Sequence, residues 1–141
     1  EGWLMSDQLT KADVQDLIIR SQFHQMFRPE VLAVDNNELE LVIKVLMCDQ
    51  FERQPYTRQW HGGILASLVD IVGCYALMLI TAHPMPTINF STNFLKFAES
   101  ESLTAKGKVR KAGRTVGFVD VEVTDEKSDL VVVGSACYAI R

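Results

Sequence analysis

The chain has 141 residues and a mass of 15.9 kDa, the size of one ordinary domain. Hydrophobic residues make up 48% and charged residues 23%, which is typical of a globular chain and excludes disordered, collagen-like and disulfide-scaffold proteins. Fourteen basic against eighteen acidic residues give a formal net charge of −4, which argues against nucleic acid as the main partner, because phosphate binding needs a concentrated basic surface.

The three cysteines, Cys48, Cys74 and Cys137, are odd in number and far apart. Because no CxxC pair or Cys/His cluster accompanies them, we expect neither a zinc site nor a disulfide framework, and we expect reduced thiols in a cytoplasmic protein. The first fifteen residues lack the basic and apolar regions of a signal peptide. Met5 is compatible with a natural start of the chain, so the sequence leaves open whether residues 1–4 are native.

The first predicted element is an amphipathic helix from Thr10 to about Gln25, which Pro29 would end. Thr10 and Asp13 resemble a capping box with Asp in place of Glu. A hairpin of two strands is predicted next, over Val31–Val34 and Leu39–Met47, because apolar and polar residues alternate in the second strand.

A polar loop from Gln50 to Trp60 leads to a long apolar segment, Gly62 to about Ala82. At a rise of about 1.5 Å per residue this segment could cross a bilayer. Against a membrane span stands Asp70 near its middle, which costs about 2.5–3.5 kcal/mol on insertion scales, and the flanks carry no basic cluster. We therefore interpret the segment as a buried core helix.

The remainder predicts four alternating strands, at Thr87–Phe97, Leu103–Arg110, Thr115–Thr124 and Leu130–Ile140. The order of elements is thus a helix, two strands, a long apolar helix and four strands. This order indicates one α+β domain in which an antiparallel sheet wraps around the long central helix.

Asp70 is the only charged residue of the central helix. Because a buried carboxylate is costly, either a basic partner or a wet subunit interface satisfies it, or function requires it. At the helix start, Gly62-Gly63 leaves free N–H groups open to a polarised carbonyl oxygen. Gly63 and Asp70 are roughly 10 Å apart along one helix. Since this is too far to act on one carbonyl, we expect the two to meet across a dimer axis.

His61-Gly62-Gly63, followed by six residues and Asp70, resembles the HGG-x6-D signature of hotdog-fold acyl-CoA thioesterases of the PaaI-like type. The order of elements is similar as well, over roughly Phe27 to Ile140. The resemblance implies a single hotdog domain over residues 1–141, with an N-terminal extension and helix in 1–26 and the hotdog core in 27–141. It also implies a homodimer or a dimer of dimers, and no cofactor or metal.

The resemblance further implies that an acyl-CoA is hydrolysed to a free acid and CoA. Asp70 would act as general base or nucleophile, and Gly63 N–H would polarise the thioester carbonyl. His61 would position the glycine turn or the substrate, with Gly62 on the substrate side. Thr87 matches a position where the family often has Ser or Thr near the catalytic carboxylate.

The basic turn containing Arg110, Lys111 and Arg114 matches the region where relatives contact the phosphates of CoA. Each of these assignments has a plainer alternative: the turn could be a solvated hairpin end, Thr87 an ordinary strand residue, and His61 an exposed residue before a helix.

One position departs from the family pattern. Many relatives have an Asn six residues before the motif His, where this chain has Pro55. Gln54 or Gln59 could supply an amide instead, although neither matches the position.

Two other functions stay open. One is a non-catalytic module that binds acyl-CoA. The other is a hotdog hydratase, which would need a His close after Asp70, whereas His83 lies thirteen residues on. The acyl preference and the pathway are not predicted.

Overall fold

The computed structural model describes residues 8–141, so the expectations about Met5 and the chain start lie outside the described residues. Within this range, three α-helices and six strands follow one another, with a 3₁₀ turn at Asp49–Phe51. Their bounds are α1 Lys11–Ile18, α2 Gln22–Phe27, β1 Glu30–Asp35, β2 Glu40–Leu46, α3 Gly62–Thr81, β3 Thr87–Phe94, β4 Ser102–Ala112, β5 Val116–Asp125 and β6 Leu130–Ala139.

The expected single N-terminal helix is wrong, because the structure has two helices, α1 and α2. The capping box is present, with Thr10 Oγ1 accepting from Asp13 N–H and Asp13 Oδ2 accepting from Thr10 N–H. The break lies at Ile19–Ser21, where Ser21 adopts an extended backbone and begins α2. This change of direction lets Phe27 enter the core and stack on Phe51.

The six strands form one antiparallel sheet in the order β1-β2-β4-β5-β6-β3. The predicted β1–β2 hairpin is confirmed. Tight turns connect β4 to β5 and β5 to β6, and each of these pairs is antiparallel. Inward side chains alternate with outward ones along β2, β4 and β5, as the period of two predicts.

Helix α3 packs against the sheet and contributes more buried hydrophobic residues than any other described element. Its mean hydropathy of 2.2 over 18 residues would suit a membrane span, but 61% of that window is buried against the rest of the chain. Close approach needs glycine at Gly73, where a Cβ atom would lie 2.4 Å from the Tyr138 hydroxyl oxygen. The core-helix interpretation and the hotdog architecture are therefore confirmed.

Strand β3 differs from its prediction in both length and burial. It ends at Phe94 instead of Phe97, and none of its residues is fully buried. The physical reason is its position, because β3 is the last strand of the sheet and pairs only with β6. Its free edge and its neighbouring loop expose five large apolar side chains, namely Ile88, Phe90, Phe94, Leu95 and Phe97.

Candidate active site

The Asp70 carboxylate lies on α3 opposite the first residue of β3. Thr87 Oγ1 donates a hydrogen bond of 2.7 Å to Asp70 Oδ1. In residues 8–141, Asp70 Oδ2 has no hydrogen-bond partner and no basic side chain pairs with the carboxylate. Asp70 is half-buried, so its second oxygen is available to a water molecule or a ligand. The structure thus brings together two of the residues singled out from the sequence.

Tyr138, on the neighbouring strand β6, holds the helix at this level. Its hydroxyl donates a 2.6 Å hydrogen bond to the backbone carbonyl of Asp70. Burial raises the pKa of Tyr138 well above its usual range, and the negative charge of Asp70 raises it further. The phenol therefore stays protonated and remains a donor. The sequence does not single out Tyr138, because alternation marks it only as an inward strand residue.

Cys74, one turn after Asp70, is protonated as well. Burial raises the pKa of its thiol above the usual range, and the charge of Asp70 adds to this effect. A thiol that resists deprotonation is a poor nucleophile. All three cysteines are free, as the sequence predicts.

The backbone N–H groups at the start of α3 differ in whether they already have an acceptor, which the sequence did not indicate. Gly63 N–H donates 2.9 Å to His61 Nδ1, so the His61 side chain caps the helix. Ile64 N–H and Leu65 N–H both donate to the His61 carbonyl. Gly62 N–H has no acceptor in the described part of the chain. The free donor is therefore Gly62 N–H, whereas the expected donor Gly63 N–H is occupied by the His61 imidazole.

Two separate cavities adjoin these groups. The Asp70 cavity, of about 520 Å³, includes Asp70 and Thr87 in its wall. The helix-start cavity, of about 320 Å³, is lined by Gly62 together with Trp60, Leu65 and Phe94. The two cavities share no lining residue. Carboxylate and helix start therefore face different spaces within one chain.

The lining of the helix-start cavity separates residues that face the cavity from residues of the core. Leu65 and Phe94 line it, whereas Leu68 is fully buried in the core. Trp60 is buried in the core and also lines the cavity. Its indole Nε1 donates to the Ser100 carbonyl. Position 55 lies on an exposed loop.

The basic residues at the turn between β4 and β5 differ in whether an acidic side chain pairs with them. Arg110 Nε pairs with Asp120 Oδ2 on the outer face of the sheet, so its charge is neutralised locally. Lys111 and Arg114 are exposed and form no ion pair within residues 8–141. Arg114 lines a third cavity, of about 400 Å³, with Thr81 and His83 at the end of α3. No cluster of side chains that could hold a metal ion is present in residues 8–141.

Comparison with known proteins identifies the family. A family model described as "Thioesterase superfamily" matches residues 59–132, from the residue before Trp60 through α3 and into β6. The chain belongs to the thioesterase superfamily. An esterase candidate of Saccharolobus solfataricus is 33% identical over 102 residues, which cover 72% of this chain and 71% of the relative.

Solved structures agree with this assignment. A crystal structure of a thioesterase-superfamily protein is 33% identical, with a TM-score of 0.85 over 91% of this chain and 96% of its own. The Escherichia coli PaaI protein, from the phenylacetic acid degradation operon, is 19% identical and shares the fold at a TM-score of 0.78, over 91% and 90% of the two chains. The chain thus has the hotdog fold of this superfamily and shares that fold with PaaI.

A further structure was determined with coenzyme A. It is a hypothetical thioesterase from Streptococcus pneumoniae TIGR4, 22% identical to this chain. Its TM-score is 0.69, over 79% of this chain and 84% of its own.

Proposed function

We propose that the chain is an acyl-CoA thioesterase whose active site is shared between two subunits. The observation that carries this proposal is the Asp70 carboxylate, held at one oxygen by Thr87 and open at the other, in the wall of a cavity. Such a carboxylate can take a proton from water, or attack a carbonyl carbon itself. Family membership makes a thioester the substrate.

The oxyanion site comes from the start of α3 in the partner subunit. Within one chain, Asp70 and Gly63 are roughly 10 Å apart along the helix axis and face different cavities. A two-fold dimer that pairs the free β3 edges would bring each carboxylate to the other helix start. Gly62 N–H is free to donate to the oxyanion, and Gly63 N–H joins it when His61 turns away.

Hydrolysis then follows a simple sequence. Asp70 accepts a proton from water, the resulting hydroxide attacks the thioester carbonyl, and the helix-start N–H groups stabilise the oxyanion. Collapse of the tetrahedral intermediate breaks the C–S bond and releases CoA thiolate, which takes up the proton from Asp70 and leaves as the thiol. If Asp70 attacks directly, the C–S bond breaks as the acyl-enzyme anhydride forms, CoA thiolate leaves, and water then hydrolyses the anhydride to the free acid and the Asp70 carboxylate. Thr87 keeps the carboxylate in position along both routes.

Lys111 and Arg114 are the proposed partners of the CoA phosphates. Both are exposed cations at one end of the sheet and free of ion pairs in residues 8–141. The pneumococcal relative determined with coenzyme A supports the choice of CoA as carrier. Arg110 is left out of this site, because Asp120 already neutralises it. An acyl-CoA substrate also fits the cytoplasmic location expected from the sequence.

The test is thiol release from a panel of acyl-CoAs by the wild type and by Asp70→Asn. Asp70→Asn keeps the size and the hydrogen bond from Thr87 but removes the base, so we expect kcat to fall by at least about a thousandfold. Asp16→Asn, at an exposed position of α1, is the matched control and should retain full activity. Full activity of Asp70→Asn would contradict the mechanism. Tight acyl-CoA binding without turnover by the wild type would favour the binding-module alternative.

A further inference from the structure

The Asp70 cavity has a polar end that the proposed mechanism does not use. Its walls are mostly apolar, with Leu17, Ile71, Met78 and Met85 among the lining residues. Three polar residues join the lining, namely Arg20 and Ser21 between α1 and α2, and His24 within α2. Ligand sites commonly combine apolar walls with a few polar groups that read one end of the ligand.

None of these three residues is fully engaged within the described chain. Arg20 forms no ion pair in residues 8–141, and Ser21 begins α2 without a side-chain capping hydrogen bond. The His24 Nδ1 lies 3.0 Å from the Ile18 carbonyl oxygen. Because a carbonyl only accepts, Nδ1 carries the hydrogen and Nε2 is left without a partner. The polar end therefore offers a guanidinium, a hydroxyl and one imidazole nitrogen.

The position of this end along α3 limits the length of the ligand. The His24 ring packs edge-on against Tyr75 at a centroid distance of 5.6 Å, and Tyr75 Oη donates to the Leu17 carbonyl at 3.3 Å. Tyr75 follows Asp70 by five residues, or about 7.5 Å along the helix axis. A short acyl group attached at Asp70 spans roughly that distance.

We propose that the Asp70 cavity binds the acyl group, and that Arg20 and Ser21 bind a carboxylate at its far end. The preferred substrates are then CoA thioesters of short dicarboxylic acids. This inference rests on the proposed function and names its substrate class. Water cleaves the C–S bond of such a thioester and yields a dicarboxylic acid and CoA thiol, so no further reactant is needed.

Charge favours this assignment over a plain aliphatic acyl group. An arginine binds a carboxylate through two parallel hydrogen bonds, which makes the pair strong and directional. A second carboxylate in a cavity that already contains Asp70 would be repelled without a nearby cation. An apolar chain end would form no hydrogen bond with Arg20, Ser21 or His24.

The test compares kcat/KM for glutaryl-CoA and pentanoyl-CoA, which differ only in the terminal carboxylate. We expect the wild type to prefer glutaryl-CoA by at least about tenfold, the effect of one charged hydrogen-bonded pair. Arg20→Ala should reduce this ratio by about tenfold, and Arg20→Lys, which keeps the charge but not the two-pronged geometry, by less. Lys11→Ala removes an exposed positive charge from α1 outside the cavity and should leave the ratio unchanged.

Each other outcome overturns the inference in a distinguishable way. Efficient hydrolysis of pentanoyl-CoA without preference for glutaryl-CoA rejects the distal carboxylate but leaves the thioesterase proposal intact. Equal losses on both substrates in Arg20→Ala assign Arg20 to the CoA phosphates or to packing. Absence of hydrolysis of any acyl-CoA by the wild type would reject both proposals together.

Discussion

Thr87 is the side chain that determines how Asp70 presents its carboxylate. The hydrogen bond from Thr87 occupies Oδ1, and Oδ2 is open toward the cavity. A carboxylate held at one oxygen loses rotational freedom, which favours proton transfer from a water in one defined place. Thr87 also sits at the irregular start of β3, where the register with β6 shifts between Thr87 and Asn89. Its geometry therefore depends on the edge strand.

Thr87→Val should lower kcat by about tenfold with little change in KM, because it removes one hydrogen bond to a charged group while keeping the shape. Steady-state kinetics with one acyl-CoA measures this split. Thr87→Ser keeps the hydroxyl and should retain most of the rate. An unchanged kcat in Thr87→Val would mean that the hydrogen bond does not position the base.

At this scale the motif residues could be predicted and their partners could not. Asp70 and the two glycines stand out because spacing along a single helix depends on sequence alone. Thr87 was found only through the family resemblance, and Tyr138 was not found at all. The polar end of the Asp70 cavity depends on the break at Ile19–Ser21, where the residues are compatible with a continuing helix, so periodicity does not reveal it.

At the scale of elements, one close contact sets the height of α3 over the sheet. Gly73 faces Tyr138 on β6, and a Cβ atom at Gly73 would lie 2.4 Å from the hydroxyl oxygen and 3.2 Å from the ring carbon that bears it. The same hydroxyl donates to the Asp70 carbonyl. This contact therefore links the packing of the core helix to the position of the Asp70 carboxylate.

Gly73→Ala should destabilise the fold by about 1–3 kcal/mol, because it overpacks a buried contact. Tyr138→Phe removes the nearest clashing atom, so the double variant should lose less stability than the sum of the two single variants. Urea unfolding of the wild type and the three variants measures this coupling. Strict additivity would show that the clash is relieved elsewhere.

The elements themselves were mostly predictable. The β1–β2 hairpin, α3 and the last three strands follow from alternation, from a continuous apolar run and from turn residues. The burial of β3 was not predictable, because it depends on which strand lies at the edge of the sheet. Strand order is a property of the whole chain, and the alternating pattern of β3 is the same whether its face meets α3 or a second subunit.

At the scale of the whole molecule, the free edge of β3 is the surface on which a second copy would pair. It combines unpaired backbone groups with exposed aromatic and aliphatic side chains. The opposite edge strand, β1, offers Leu32 at 38% exposure, against 37% for Phe90 on β3. These two positions form a matched pair for testing which edge is the interface.

Phe90→Lys should convert the dimer to a monomer and abolish hydrolysis, although Asp70 and Thr87 remain in place. A charge within an apolar strand–strand interface is costly to bury. Leu32→Lys should leave both the dimer and the activity unchanged. Light scattering gives the mass of each variant, and thiol release gives its activity. A dimeric Phe90→Lys protein would place the interface elsewhere.

The shared site is the central claim, and subunit complementation tests it most directly. Asp70→Ala removes the carboxylate, and Gly63→Val covers the helix start with a branched side chain, so each variant alone should be inactive. Coexpression of the two produces heterodimers in which one of the two sites is intact. Random pairing predicts about a quarter of wild-type activity per chain. Isolated heterodimers without activity would show that each chain builds its site alone, and would contradict the account.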